Sequence, residues 1–201
     1  ASGEMFVKTA KFIVGATGYY DYEQGYRPHF DGEENFHGQI VHPQHWNNLD
    51  YNDKKVVVIG SGATAMTLLP ALVDKDSNQC ARHVTMLQRT PTYVASVPGD
   101  DHAIDWLSGK FSPLSKEQAY TLLRARNVLR QQGLYKVATH APKVMKAVLR
   151  SGVKKELKGS DVDSKHFMPD YNPWDQRVCA VPDGDLFKAL QDKRATVVTD
   201  Q

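Results

Sequence analysis

Val56-Val57-Val58-Ile59-Gly60-Ser61-Gly62-Ala63-Thr64-Ala65 is the stretch that decides the fold. Its four consecutive β-branched residues predict a strand that is buried on both faces, as in a parallel sheet. Helical spacing begins directly after the glycines, and residues 83–88 are typical of a second strand. The sequence therefore predicts a β-α-β unit with a right-handed crossover. Pro70 lies inside the predicted helix and should bend it or shorten its hydrogen-bond ladder.

The turn between this strand and its helix has the spacing G-x-G-x-x-A. Gly60 permits a tight turn, Gly62 lets a pyrophosphate approach the backbone, and the small Ala65 lets the helix pack on the strand. The free N–H groups and the dipole at the start of the helix favour a phosphate. The alternative is a glycine turn that only joins the strand to the helix. We predict a dinucleotide site in the turn, made of Gly60, Ser61, Gly62, Ala63, Thr64 and Ala65.

The end of the second strand distinguishes between the two nicotinamide cofactors. An acidic residue there would bind the ribose 2′-hydroxyl and repel a 2′-phosphate. This chain has Gln88-Arg89-Thr90 instead. Arg89 offers a planar, permanently charged donor to a phosphate, and Thr90 adds a hydroxyl. We therefore predict NADP(H) rather than NAD(H). The alternative, a solvated surface arginine, would leave the missing acid unexplained.

Further along the chain, the pattern from residue 99 to about Gly152 is helical. Ser115 and Gln118 form a predicted capping box, and a second helix should start at Pro142 and end near Gly152. One apolar stripe is predicted in the first helix, made of Leu122, Leu123, Ala125, Val128 and Leu129. An aromatic and proline-rich loop follows, then a short helix at 185–191 and a third strand at 195–199.

Composition limits the class of protein. The chain has 201 residues, of which 41% are hydrophobic and 24% charged, so a packed core is expected. The net charge of +2 argues against a nucleic-acid partner. Cys80 and Cys179 are too few and too far apart for a disulfide framework or a zinc site. Because no secretion leader and no membrane-length apolar run is found, a cytoplasmic protein is expected.

One segment of the chain is strongly basic. Residues 110–158 contain twelve Lys or Arg residues and two acids. The segment is expected either to dock on an acidic surface elsewhere in the protein, or to steer an anionic cofactor or contact anionic lipid.

A second motif precedes the glycine turn. Residues 36–46 have the spacing F-x-G-x-x-x-H-x-x-x-W, from Phe36 to Trp46. This motif resembles the fingerprint of the flavin-dependent Baeyer–Villiger monooxygenases. In the flavin-containing relatives the fingerprint ends in Tyr or Phe, so Trp46 favours the Baeyer–Villiger group. The chain most resembles the bacterial branch with the ethionamide-activating monooxygenase, in five runs that span nearly its whole length: 16–20, 42–46, 56–69, 86–93 and 172–187.

The resemblance implies an α/β fold, a Rossmann-type parallel sheet (the NADP domain) with an inserted helical subdomain. We expect a connector at 1–50, the NADP-binding unit at 51–98, the insertion and aromatic loop at 99–180, and a returning helix and strand at 181–201. The family also has an FAD domain with its own glycine motif, but Gly60/Gly62 is the only G-x-G pair here. The chain is therefore expected to be the central NADP-binding portion of a larger enzyme and inactive alone. Residues 11–15 are expected to form a short strand, and residues 11–18 are expected to be the last link to that FAD domain.

The chemistry of the family implies two further functional residues. In the family, hydride passes from NADPH to FAD, and the reduced flavin with O2 forms a peroxyflavin that oxygenates a ketone or a sulfide. By this resemblance Arg177 would stabilise the peroxyflavin anion, although pairing with Asp175 or Asp183 is the structural alternative. His42, the second candidate catalytic residue, would lie at the domain junction and shape the hinge or the nicotinamide pocket; the alternative is a structural histidine in a loop. Two other functions stay open, an NADPH domain of a flavin-containing or N-hydroxylating monooxygenase, and a non-catalytic nucleotide-binding module.

Overall fold

A computed structural model describes residues 5, 7–46, 48–109, 112 and 114–200 of the chain. Asn47, beside the fingerprint, and Lys110, in the basic segment, lie outside the described residues. The chain divides into two compact units, Ala1–Leu49 and Asp50–Gln201. The first unit contains two 3-10 helices, Glu33–Asn35 and Pro43–His45, and its described residues form no strand.

The second unit is built on parallel strands, which confirms the predicted α/β class. The strands in chain order are β1 (Lys55–Ile59), β2 (His83–Gln88), β3 (Tyr93–Val97), β4 (Val178–Pro182) and β5 (Ala195–Thr199). The larger sheet has the order β1-β2-β5, and both of its pairings are parallel. In it, Val57 lies opposite Thr85, and Thr85 lies opposite Thr196.

Of the five helices in the described residues, two pack on the larger sheet and the other three lie in the insertion. The helices are α1 (Ala63–Leu72), α2 (Ala103–Leu107), α3 (Lys116–His140), α4 (Pro142–Glu156) and α5 (Asp185–Gln191), with a 3-10 helix at Ser164–Phe167. Helix α1 joins β1 to β2 and packs against α5. It ends only two residues after Pro70, whose missing N–H shortens the ladder as expected.

The other face of the sheet differs from the prediction. Val57 and Ile59 are each 59% exposed, so β1 is buried on one face only. The reason is that the core cluster forms on the side of α1 and α5, where Val58, Val84 and Val197 point inward. The β-branched run in β1 identified the strand correctly but not its surroundings.

A second sheet was not expected from the sequence. Strands β3 and β4 pair in parallel, with Tyr93 opposite Val178 and Val97 opposite Pro182. Helix α4 packs against β3. Strand β3 therefore comes directly before the insertion, residues 98–177, and its partner β4 directly after it.

The two long helices of the insertion begin where the sequence predicts. Ser115 Oγ accepts a hydrogen bond from Gln118 N at 3.2 Å and Gln118 Oε1 accepts one from Ser115 N at 2.9 Å, so the capping box is confirmed. Helix α4 starts at Pro142 but continues past Gly152 to Glu156. The burial of Val153 and Leu157 offsets the helix penalty of glycine, which is about 1 kcal/mol. Although α3 has 25 residues, no helix among those described is long and apolar enough to span a membrane.

Two other predictions of the sequence are wrong. In the predicted apolar stripe of α3 only Leu123 is buried, while Leu122, Val128 and Leu129 are exposed. The helix packs through a narrower line that runs through Ala119 and Leu123 at a spacing of four residues.

Residues 11–15 form no strand, and their apolar side chains are almost fully exposed. A strand needs a neighbour to satisfy its backbone N–H and C=O groups. No described strand pairs with this segment.

Candidate dinucleotide-binding site

The glycine turn follows β1 and opens α1. Gly60 has φ +119°, a left-handed conformation that favours glycine, and its N–H donates to Leu87 O of β2 at 2.8 Å. Gly62 is the N-cap of α1, and no side chain caps that end. A Cβ atom at Gly60 or at Gly62 would meet nothing within 4 Å. The amino end of α1 therefore presents uncapped N–H groups to open space, as an anion site requires.

Ser61 joins the turn to the segment that follows β2. Its hydroxyl donates to Thr90 O at 3.2 Å. Its Oγ also lies 3.2 Å from Thr92 Oγ1, and since the Ser61 proton is used, the Thr92 hydroxyl is the donor there. The turn and the end of the second strand, which the sequence placed in one site, thus lie side by side.

Arg89 is an exposed cation that directly follows the end of β2. It forms no ion pair with any carboxylate among the described residues. Its neighbour Gln88 is buried, as alternation along a strand requires when the next side chain faces outward. The uncapped amino end of α1 and Arg89 each follow one of two neighbouring parallel strands, at the carboxyl edge of one sheet. Such an edge suits a ligand with two separate phosphate groups.

A cavity of about 560 Å³ extends from the first turns of α1 to the segment 174–180. Ala63 of the glycine motif, Met66 and Thr67 form its α1 wall, and Trp174 and Arg177 are on the other wall. Sequence reasoning missed Met66, Thr67 and Trp174. A signal for Thr67 was available, because it lies one helical turn after Ala63 on the same face. No signal identified Trp174, whose left-handed φ of 72° is visible only in the structure.

Arg177 lines this cavity and forms no ion pair with a carboxylate of the described residues. The two acids that could have paired with it are engaged elsewhere. Asp175 Oδ2 accepts from Asn172 N at 3.3 Å, and Asp183 Oδ1 accepts from Gly99 N at 2.9 Å. Nearby, burial raises the pKa of the Cys179 thiol, an effect that the charge of Arg177 partly opposes. Among the described residues that line the cavity, Arg177 is the cation, Asp175 lies in the same wall, and Cys179 is a neutral thiol there.

His42 belongs to the first unit, where the fingerprint residues have packing roles. A Cβ atom on Gly25 would lie 2.3 Å from Cε1 of His42, so the ring packs directly on that glycine. Nδ1 of His42 accepts from Gln44 N at 3.2 Å, and Gln44 Nε2 donates to the carbonyl of Asp21 at 2.9 Å. Within this unit, His42 holds a turn in place.

Comparison with known proteins shows which proteins the chain resembles. No protein-family model matches the chain. A probable FAD-binding monooxygenase, AlmA of Acinetobacter sp, is 54% identical over 96% of the chain, and the FAD-containing monooxygenase EthA of Mycobacterium tuberculosis is 48% identical over 98%. Over the region that it covers, the chain is similar to monooxygenases named as FAD-binding or FAD-containing. A putative FAD-containing monooxygenase, MymA of the same bacterium, is 48% identical over 100% of the chain. The chain spans between 37% and 40% of the length of these three monooxygenases.

Solved monooxygenase structures share the fold. An oxidized steroid monooxygenase bound to NADP has a TM-score of 0.55 at 22% identity, over 86% of this chain and 38% of its own. OTEMO in complex with FAD and NADP has a TM-score of 0.59 at 16% identity, over 92% of this chain and 41% of its own. At such identities the likeness concerns the fold alone, and the predicted Rossmann-type sheet with a helical insertion is the fold observed.

Proposed function

We propose that this chain is the NADP(H)-binding portion of a monooxygenase that uses FAD and NADPH. The observation that carries the proposal is the uncapped amino end of α1, which Ser61 joins to the segment carrying the exposed Arg89. A diphosphate fits the first feature and a ribose 2′-phosphate fits the second. NAD(H) lacks the 2′-phosphate and would leave Arg89 unused.

The nucleotide fits the residues present. The turn residues from Gly60 to Ala65 supply backbone N–H groups and space, since no side chain stands in front of either glycine. Arg89 and Thr90 supply a guanidinium and a hydroxyl at the strand end. When bound, the reduced form NADPH would supply a hydride. This chain's part is to hold the diphosphate and the 2′-phosphate so that the nicotinamide end extends toward the cavity that begins at Ala63.

FAD is assigned to the rest of a longer protein. The single G-x-G pair of the chain is used for NADP(H), and the relatives named as FAD-containing are more than twice as long. The missing FAD domain is therefore the partner that we propose for the first unit and its fingerprint.

The reaction that we propose is the oxygenation of a small ketone, or of a sulfide, with O2. Trp46 at the end of the fingerprint favours the ketone-oxygenating group by its resemblance. Arg177 is the proposed catalytic residue, because it lines the cavity, forms no ion pair within the described part of the chain, and carries the positive charge that would stabilise an anion there. We assign His42 to positioning, in line with its packing on Gly25.

The test of nucleotide binding is calorimetric titration of the chain with NADP+ and with NAD+. We expect tighter binding of NADP+, and the substitution Arg89→Ala should weaken only NADP+, by about 10- to 100-fold, the value of one charged hydrogen-bonded contact. Arg124→Ala is the matched control, because Arg124 is an exposed arginine on α3. An NADP+ preference that survives Arg89→Ala would remove Arg89 from the site.

The test of Arg177 uses the longer protein with its FAD site. Arg177→Ala should slow oxygenation severely. Its affinity for NADP+ should fall by far less than the affinity of Arg89→Ala. Arg177→Lys keeps the charge but not the planar donor geometry and should recover part of the rate. A full rate in Arg177→Ala would exclude the catalytic role.

A further inference from the structure

Gln88 is a buried polar residue that the proposed site does not use. Its side chain is 1% exposed and lies inside the unit, at the carboxyl end of β2. Its Nε2 donates to the carbonyl of His166 at 2.6 Å and to Thr199 Oγ1 at 2.9 Å. Its Oε1 is buried and accepts no hydrogen bond from the described residues. A buried carbonyl without a donor is unfavourable, so stability alone does not explain a glutamine here.

The hydrogen bonds of Gln88 connect three separate segments. Its backbone carbonyl accepts from Asp200 N at 3.0 Å, and its amide reaches Thr199 at the end of β5. The bond to His166 reaches the 3-10 helix that precedes the aromatic loop. Residue 88 is therefore held by its main chain and by its side chain.

Arg89 lies between two held residues. Gln88 fixes the backbone before it, and Thr90 O accepts from Ser61 Oγ at 3.2 Å on the other side. A planar guanidinium binds a phosphate well only when it lies within about 0.5 Å of the productive position. The direction in which Arg89 leaves the strand depends on the residue before it, because side chains alternate between the two faces of a strand.

We infer that Gln88 is a positioning residue for NADP(H) specificity, whose buried amide fixes the backbone from which Arg89 reaches the 2′-phosphate. The inference rests on the proposed function and names a determinant that lies outside the nucleotide's reach. An acid at the end of β2 would reject NADP(H) by direct repulsion. Gln88 acts instead through the placement of its neighbour.

The test is a double-mutant cycle on the affinities of the chain for NADP+ and NAD+. Gln88→Met keeps the length of the side chain and removes its hydrogen bonds. We expect it to weaken NADP+ binding by about tenfold and NAD+ binding by less than about twofold. Adding Gln88→Met to Arg89→Ala should cause no further loss, since the two residues act through one contact.

Matched variants distinguish a positioning role of Gln88 from a general destabilisation of the fold. Gln191→Met removes a similar bond, from Gln191 Nε2 to Glu156 O at 2.5 Å, and should leave both affinities unchanged. Thr199→Val removes a single hydroxyl from the network and should shift NADP+ binding in the same direction as Gln88→Met, even if that variant folds poorly. Equal losses for NADP+ and NAD+, or additive losses in the double variant, would overturn the inference. If the unmodified chain bound neither nucleotide, the proposed function itself would fail.

Discussion

Gly60→Ala and Gly62→Ala, two changes of the same size within one turn, should separate folding from binding. Gly62 has φ −75° and ψ 178°, a conformation that alanine adopts freely, and its Cβ would meet nothing within 4 Å. The smaller entropy of the unfolded chain stabilises Gly62→Ala by about 0.4–1 kcal/mol. Alanine is also a poorer N-cap than glycine, by a comparable amount. The free energy of unfolding should therefore change by less than about 1 kcal/mol.

Nucleotide binding, unlike stability, should change strongly in Gly62→Ala. The new methyl group of Gly62→Ala would occupy the space in front of the uncapped N–H groups of α1, where the diphosphate is proposed to lie. Each charged hydrogen bond that is lost costs about 1.5–3 kcal/mol, so NADP+ and NAD+ should both bind at least about tenfold more weakly. Both nucleotides are affected because both carry the diphosphate.

In contrast to Gly62→Ala, the variant Gly60→Ala should lower the stability of the fold. At φ +119° a non-glycine residue is strained by about 1–3 kcal/mol. For a unit of this size, that strain lowers the Tm by roughly 2–4 °C per kcal/mol. Thermal unfolding and calorimetric titration of both variants provide the measurements. Nucleotide affinities that stay within twofold of the unmodified chain in Gly62→Ala would refute the placement of the diphosphate at this turn.

Three further outcomes are expected. Burial, and secondarily the charge of Lys165, lowers the pKa of His166 below its usual 6.5. The contribution of His166 to stability is therefore complete above about pH 6.5 and is lost as the pH falls through the pKa of the folded state. The urea midpoints at pH 7.5 and pH 5.5 should differ less in His166→Gln than in the unmodified chain. Cys179, whose pKa burial raises, should react with iodoacetamide more slowly than the partly exposed Cys80, as peptide mass mapping would show, and the reverse order would contradict its position in the structure. Ser115→Ala should destabilise α3 by about 0.5–2 kcal/mol through loss of the capping box, which amide hydrogen exchange in its first turn would detect.

The sequence predicted the elements whose signals are local. The β-branched run before Gly60 marked a strand, the glycine spacing marked the start of α1, and Ser115 with Gln118 marked the start of α3. In each case a few adjacent residues determine the geometry. Residues 185–191 and 195–199 form the predicted helix and strand for the same reason.

The elements that the sequence missed depend on distant partners. Strand β3 consists of five residues, and its only partner in the sheet begins at Val178, 85 positions after Tyr93. Such a short strand has no periodicity strong enough to predict it without that partner. The sequence also did not show which side chains other elements would cover. Leu129 has the spacing of a buried residue, yet nothing in the described part of the chain covers it. The cavity was missed because its two walls are about a hundred residues apart in sequence.

The pairing of β3 with β4 explains how an insertion of this size leaves the candidate site intact. Strand β3 begins three residues after Thr90, so its position is fixed by the end of β2. Its parallel register then fixes β4, and the loop just before β4 must reach the same edge of the unit, beside the first turns of α1. Arg177 is thereby placed by the two strands rather than by the helices between them. Changes on the exposed face of α3 should therefore alter what the insertion contacts, and leave the distance between Arg177 and the glycine turn unchanged.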